Sequence, residues 1–166
     1  MATQAAAFLR MHLEAEGTPD TDLSGILRRV LENATGGRRW TNGTGSGQIS
    51  TIYVREKSAL GAGATDSYDL LAAGALTDIH GQTIDLDELK GFMLLPTSGS
   101  IRIDAPAANA IDIFDDPSDL LNVPGDGLMM SWGAAGLDVT TNSKFDITES
   151  SGGATADYTL VFFGAS

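Results

Sequence analysis

The stretch KFDITESSGGATADYTLVFFG, residues 144–164, contains two runs in which apolar and polar residues alternate. An alternation of period two places every second side chain on one face of a β-strand. A serine- and glycine-rich segment between the runs is a turn signal. The stretch therefore predicts two half-buried strands joined by a turn. The apolar positions are Phe145 and Ile147 in the first run, and Tyr158, Leu160 and Phe162 in the second.

Short segments with similar features precede this stretch. Leu89 to Leu95 is a continuous apolar run, consistent with a fully buried strand. About eight short strands at fairly regular spacing, with no helical crossover between them, favour an antiparallel β-sandwich or jelly-roll-like domain over a parallel α/β sheet. The remaining predicted strands lie at Ile49–Val54, Tyr68–Leu71, Ile101–Ile103, Ile111–Ile113 and Leu128–Trp132.

The first 39 residues have a different pattern, which predicts a helical N-terminal arm. Pro19 to Asp22 supply capping oxygens and first-turn acids, and Gly36-Gly37 supplies a stop signal. Ala2 to Ala15 is a second, less periodic helical segment. The apolar stripe on one helix face consists of Leu23, Ile26, Leu27, Val30 and Leu31. We thus expect a helical arm over 1–39, a Gly/Thr/Ser linker over 40–47 and a β-sandwich domain over 48–166.

The arm and the domain also differ in charge. Residues 1–39 hold five basic and five acidic residues, whereas residues 58–166 hold three basic and sixteen acidic residues, a net charge of −13. A short isolated helix is marginal in water, so the stripe must pack on the domain behind it or on another chain. The expected assembly contacts are Leu23, Ile26, Leu27, Arg28, Arg29, Val30, Leu31, Arg38 and Arg39.

The bulk composition argues against several classes of partner and compartment. With a net charge of −12, the chain is repelled by nucleic acids and by anionic membranes, so neither is an expected partner. The absence of cysteine excludes disulfides, thiolate metal sites and a cysteine nucleophile. No apolar run is long enough for a membrane helix, and the N-terminus lacks the features of a secretion signal. We therefore expect synthesis and folding in a cytoplasm.

Motifs that carry chemistry are not found, so we expect no cofactor and no enzymatic activity. His12 and His80 are too far apart in sequence to suggest a metal pair, and residues 43–47 match neither a nucleophile elbow nor a P-loop. The acidic segment Asp112–Asp119 could bind Ca²⁺, although a solvated loop is the simpler interpretation. Five aromatic residues could form either a core or a sugar-binding face: Trp40, Tyr53, Tyr68, Trp132 and Tyr158.

Several turn and strand-end motifs carry a resemblance to a known group of proteins. They are NGTGSGQ at residues 42–48, LGAGATDSYDL at 60–70, GALTD at 74–78, GQTI at 81–84, ELKGFML at 88–94, PGDG at 124–127 and ADYTLVFFG at 156–164. Their order resembles that of small virion structural proteins of tailed bacteriophages. The resemblance covers about residues 40–164 and implies a β-sandwich or jelly-roll domain in a virus particle. It carries over no functional residues, and the acidic Asp112–Asp119 segment departs from the pattern.

Together these observations lead to the hypothesis of a non-enzymatic virion structural protein, assembled in the host cytoplasm. Its most direct form is a capsid decoration or cement protein that docks through the arm onto the major capsid protein or other virion proteins. Self-association into a homo-oligomer is expected on a repeating lattice. Alternatives are a component of the tail or of a head or tail fibre, and a carbohydrate- or calcium-binding β-sandwich module.

Overall fold

A computed structural model describes residues 8–9, 38–71, 76–77, 83–113 and 119–166 of the chain. These residues form fourteen β-strands and no helix. The strands are β1 Phe8–Leu9, β2 Arg38–Arg39, β3 Thr41–Asn42, β4 Gln48–Ile49, β5 Thr51–Leu60, β6 Thr65–Asp69, β7 Leu76–Thr77, β8 Thr83–Ile84, β9 Glu88–Ser98, β10 Ile101–Asp104, β11 Leu120–Val123, β12 Met129–Asp138, β13 Lys144–Glu149 and β14 Ala156–Ala165.

The eight longer strands form two antiparallel four-stranded sheets. Sheet I has the order β12-β9-β14-β5, and sheet II has the order β11-β10-β13-β6. Strands close in sequence are divided between the sheets: β5 is followed by β6, β9 by β10, and β13 by β14. Three two-stranded ladders, β1-β2, β3-β4 and β7-β8, and an isolated bridge between Ala110 and Lys144 complete the pairing within the described residues.

The two sheets face each other across one hydrophobic core, in a sandwich-like arrangement. Phe145 of sheet II packs edge-to-face on Phe92 and Phe162 of sheet I, with ring centroids 5.2 and 5.3 Å apart. Tyr53 of sheet I and Tyr68 of sheet II meet at 6.3 Å. Because edge-to-face contacts stabilise aromatic pairs beyond the burial of their area, these rings connect the two sheets through the centre.

The structure confirms that the chain is mainly β and antiparallel, and it corrects one predicted strand. Ile111–Ile113 is not a strand: Ile113 N–H donates to the carbonyl of Ile111 at 2.8 Å, closing a tight turn. Ile111 is nevertheless buried, and its N–H donates to the carbonyl of Lys144 at 3.0 Å. Two isoleucines two positions apart mimic a strand, but here the turn itself places Ile111 in the core.

Most of the predicted arm lies outside the described residues, so its helix stays a prediction. The described part is an antiparallel ladder in which Phe8–Leu9, inside the less periodic helical segment, pairs with Arg38–Arg39. Of the expected assembly contacts, Arg38 and Arg39 lie in β2, and all the others lie outside the described residues.

The predicted linker forms a closed loop against the domain. Gly43 N–H donates to the carbonyl of Ile49 at 3.0 Å, and Gln48 N–H donates to the carbonyl of Gly45 at 3.0 Å. In return, Gly45 N–H donates to Gln48 Oε1 at 2.9 Å. A Cβ on Gly43 would lie 2.5 Å from Gln48 Oε1, so a larger residue would displace this side chain, and the φ of +141° at Gly43 is a conformation that other residues rarely adopt. The segment thus has specific internal hydrogen bonds, whereas its glycine-, threonine- and serine-rich composition predicted only a flexible linker.

Candidate interaction surface

The outer face of sheet I carries an uninterrupted row of apolar side chains. Side chains alternate across a strand, so the neighbours of core residues point away from the core. In register, Val161 lies opposite Val54 on one side and opposite Met93 on the other, and Met93 lies opposite Met130. These four side chains, here called the apolar row, cross all four strands of the sheet, and each is partly exposed.

The apolar row continues along the strands in both directions. Leu95 lies two residues beyond Met93 and is partly exposed, and Leu128, next to the start of β12, is 49% exposed. In the other direction lies Ile52, also partly exposed. A contiguous apolar patch on a sheet face is uncommon on a protein that is surrounded by water, and such patches mark interaction sites.

One end of this face is covered by a small second core, the Trp40 cluster, formed by Trp40, Ile49 and Phe163. Trp40 is 1% exposed, and its ring lies 5.1 Å from that of Phe163. A Cβ on Gly91 would lie 2.4 Å from Phe163 Cε2, so the glycine creates the space that the phenyl ring occupies. Ile52 and Val161 pack against the cluster, which therefore adjoins the apolar row.

The Trp40 cluster contains an unsatisfied polar atom. Trp40 Nε1 is buried and has no hydrogen-bond partner among the described residues. An indole N–H is a donor only, and leaving a buried donor unpaired costs about 1–3 kcal/mol. The indole nitrogen is thus a position where an acceptor from a covering segment would stabilise the protein.

The outer face of sheet II has the opposite character. Every outward-facing residue of β6, β10 and β13 is polar or charged: Thr65, Ser67, Asp69, Arg102, Asp104, Lys144, Asp146 and Thr148. Several are bonded to one another, as in the 2.8 Å contact between the hydroxyls of Thr65 and Thr148 and the 2.5 Å ion pair between Arg102 and Asp104. At the edge strand β11, Leu120, which lies opposite Asp104, is 49% exposed. Away from that edge, the outer face of sheet II is polar, whereas the outer face of sheet I carries the apolar row.

A second candidate site is a cavity of about 340 Å³ beside Lys90. Lys90 is 1% exposed, and its ammonium donates to Glu88 and, at 2.7 Å, to the carbonyl of Ala135. Asp112 also lines the cavity, and its carboxylate accepts a 2.8 Å hydrogen bond from Asn142 Nδ2. Both charged groups already have protein partners, so the cavity offers a ligand few free polar groups.

A buried polar chain joins the two sheets at another place. Tyr158 O–H donates to Asp66 Oδ2 at 2.7 Å, so Tyr68 O–H, 2.6 Å from the Tyr158 oxygen, must donate to Tyr158. Lys57 Nζ lies 3.2 Å from Asp66 Oδ1 and balances its charge. Burial raises the pKa of Tyr68 to about 12, and the negative Asp66 adds to the rise. Burial and the Tyr68 contact also raise the pKa of Tyr158. Both phenols are held neutral, which suits a structural role.

The other residues noted in the sequence divide between the core and the undescribed segments. Trp40, Tyr53, Tyr68 and Tyr158 are buried, which confirms the core interpretation over a sugar-binding face for these four. The described residues contain no group of three or more potential metal ligands. Asp115 and Asp116 lie outside the described residues, as do His12 and His80, so calcium binding by the Asp112–Asp119 segment stays a hypothesis.

No protein-family model matches the chain, and a comparison with curated proteins finds no similar protein. The resemblance to phage virion proteins therefore stays a prediction. Within the described residues, no helix is long and apolar enough to cross a membrane. The outer face of sheet I is the feature that the sequence-based reasoning missed. Its signal was the continuous apolar runs Phe92–Leu95 and Leu160–Phe163, which place apolar side chains on both faces of β9 and β14.

Proposed function

We propose that the chain is a non-enzymatic structural protein of a tailed-bacteriophage virion, a capsid decoration or cement protein. It docks through its N-terminal arm on the major capsid protein or on another virion protein, and it assembles as a homo-oligomer. The observation that carries this proposal is the difference between the two outer faces. On strands β6, β10 and β13 the outer face of sheet II presents only polar and charged residues, whereas the outer face of sheet I presents the apolar row.

A protein with one apolar and one polar outer face is oriented by its surroundings. Burying about 100 Å² of apolar surface stabilises a contact by roughly 2.5 kcal/mol, so a face such as that of sheet I favours being covered. The polar and charged outer face of sheet II keeps its water, because burying such groups without partners costs free energy. On a particle, the arm and sheet I belong on the side of the shell, and sheet II on the side of the solvent.

The strand order supports a jelly roll as the particular form of the sandwich. In that form, eight antiparallel strands are divided into two four-stranded sheets by two Greek-key connections, as in many viral capsid proteins and lectins. In this chain, the eight longer strands are likewise divided into two antiparallel four-stranded sheets, of order β12-β9-β14-β5 and β11-β10-β13-β6. The fold alone does not imply a function, so the argument for assembly rests on the surfaces.

The test is the location of the protein on purified particles. Gold-labelled antibody to the chain should label the whole head in electron micrographs if the protein is a decoration or cement protein. Label at the tail or at a single vertex would replace this proposal with the tail or fibre alternative. Particles without label, with the epitope shown to be accessible, would overturn the virion assignment.

Docking through the arm has its own test with a matched control. Replacing Arg28 and Arg29 by glutamate should abolish binding of the purified protein to particles that lack it, because two positive charges among the expected assembly contacts of the arm become negative. Arg55→Glu changes an exposed arginine of β5 and should leave binding intact. Equal binding by the double variant and Arg55→Glu would contradict a docking role of the arm.

The 340 Å³ cavity beside Lys90 gives a second candidate function, a ligand-binding module. Its volume lies near the lower end of the range for small-molecule sites, about 300–1,000 Å³. A ligand that binds only the folded chain raises its melting temperature by mass action. A thermal shift with Ca²⁺ or with a glycan, removed by Asp112→Asn, would favour this candidate over the structural one.

A further inference from the structure

We propose that the edge strand β11 pairs with β11 of a second copy of this chain, antiparallel and about a two-fold axis. The two copies then share one sheet of eight strands, since each sheet II contributes four. This pairing rests on the homo-oligomer of the proposed function, and it leaves the outer face of sheet I free for docking. Two-fold pairing is the commonest symmetry of soluble homo-oligomers.

Strand β11 has a partner on one side only. Leu120 to Val123 pair with β10 in continuous register, and within the described residues β11 has no other neighbouring strand. In an edge strand, the N–H and C=O groups of alternate residues point away from the sheet. These groups are a template for a further strand, which a second chain can supply.

The side chains of β11 are apolar and exposed. Of the three large apolar side chains that are exposed among the described residues, two are Leu120 and Leu121, at 49% and 41%. Leu121 lies opposite the fully buried Ile103, so it faces the core side, and its exposure shows that the core is open at this edge. Leu120 lies on the other face of the same strand. A second copy of β11 covers both leucines at once, because its strand contributes side chains to both faces.

The other three edge strands have features that hinder such pairing. Strand β5 carries three consecutive charged residues, Arg55 to Lys57, and the register of β12 breaks between Trp132 and Leu137. Strand β6 turns Asp66 to the core side, opposite the buried Ile147. Edge charges, inward-pointing charges and bulges prevent edge-to-edge pairing in natural proteins. The sequence of β11, Leu-Leu-Asn-Val, has no charge, and its register is unbroken.

The charge distribution favours a second copy at this edge. With a net charge of −12, two copies repel each other over most of their surfaces, but residues 120–125 are uncharged. A two-fold axis perpendicular to the sheet keeps both faces aligned, and it pairs most residues when it passes Leu121 or Asn122. In these two registers, Asp119 of each copy lies opposite the other copy's Val123 or Gly125. The paired segments therefore bring no two carboxylates opposite each other.

The short length of β11 determines how strongly the copies associate. Four residues offer a second copy about four backbone hydrogen bonds, fewer than the about ten of a typical interface. The dimer therefore dissociates on dilution. A repeating lattice, which holds copies close together, would favour it.

The absence of cysteine allows a single introduced thiol to report the pairing. Residues directly opposite in antiparallel strands have Cα atoms about 4.5–5.5 Å apart, within the range of about 4.4–6.8 Å found in disulfides. A thiol at the two-fold axis faces its own counterpart, so either Leu121→Cys or Asn122→Cys should form a covalent dimer under mild oxidation. The control Ser67→Cys places an exposed thiol on β6, the opposite edge of sheet II, and should give about tenfold less dimer. Comparable yields for all three variants would indicate random collision and overturn the proposal.

Sedimentation equilibrium measures the same pairing without a cross-link. Leu121→Lys puts an inward-pointing charge on the edge and should raise the dissociation constant of the dimer at least about tenfold. Ser67→Lys adds the same charge at the opposite edge and should leave the dissociation constant unchanged. Leu120→Lys, on the outer face, repeats the test if Leu121→Lys unfolds the domain. A monomer from micromolar to millimolar concentration, or equal dissociation constants for Leu121→Lys and Ser67→Lys, would overturn the proposal.

The pairing and the virion assignment fail separately. A dimer through β11, together with particles that carry no label, would support the pairing and overturn the virion assignment. Label over the head, together with a chain that stays monomeric in solution, would overturn the pairing alone.

Discussion

Replacing Trp40 tests whether the segment before β4 belongs to the folded domain. A buried tryptophan removes about 200 Å² from water, which contributes roughly 5 kcal/mol to folding. In this protein, the unpaired indole N–H opposes that gain by about 1–3 kcal/mol. Trp40→Ala should therefore lower the free energy of unfolding by about 2–4 kcal/mol, a value close to those found for other buried large-to-small substitutions.

Two further variants separate the stabilisation by the buried ring from the cost of the unpaired indole N–H. Trp40→Phe keeps most of the ring and removes the unpaired donor, so its free energy of unfolding should lie within about 1 kcal/mol of that of the parent. Leu128→Ala truncates a side chain that is 49% exposed and should cost less than about 1 kcal/mol. The assay is denaturant unfolding followed by far-UV circular dichroism, because the variants alter tryptophan fluorescence. A loss of less than about 0.5 kcal/mol for Trp40→Ala would refute the burial of Trp40 against Phe163. It would indicate instead that residues 40–47 form a free linker.

Three other predictions concern the interior. As the pH rises from 10 towards 12, the folded state keeps the protons of Tyr68 and Tyr158 while the unfolded state loses them, so stability should fall by about 1.4 kcal/mol per pH unit for each tyrosine. Denaturation at several pH values, with tyrosinate absorbance as the second signal, checks this; unchanged stability to pH 12 would contradict it. Gly164→Ala would place a Cβ 2.1 Å from the carbonyl oxygen of Glu88 and should cost at least about 1–3 kcal/mol, whereas Gly61→Ala, whose nearest neighbour is 3.8 Å away, should be nearly neutral in the same urea titration. Lys90→Met should leave stability within about 1 kcal/mol, because the carboxylate that it leaves behind is 40% exposed and stays hydrated. A loss of about 3 kcal/mol or more would show that the ion pair itself stabilises the fold.

The strands were predictable where burial is one-sided. The alternation in β10, β13 and β14 identified core residues such as Ile101, Ile147 and Leu160 directly. The strand predicted at Ile111–Ile113 was wrong, because a pattern of two apolar residues does not distinguish a strand from a turn that buries one of them. Residues 40–47 were predicted as a linker from composition, since glycine, serine and threonine carry no sign of the hydrogen bonds that this segment makes with Gln48 in the folded chain.

The candidate surface was only partly visible in the sequence. Continuous apolar runs in β9 and β14 showed that both faces of these strands are apolar, but not which other strands would lie beside them. The apolar row combines Val54, Met93, Met130 and Val161, which are separated by up to 107 positions along the chain. Only the register of sheet I places them in one line.

The sequence by itself determined the β class, the antiparallel strands, the acidic domain and the apolar stripe of residues 23–31, because each follows from local periodicity or charge. The tertiary structure decided which strands share a sheet, that an apolar row crosses the outer face of sheet I while β6, β10 and β13 of sheet II turn polar residues outward, and that Trp40 is buried against Phe163. These properties depend on contacts between residues far apart in the chain, and local patterns carry no information about which distant strand becomes a neighbour.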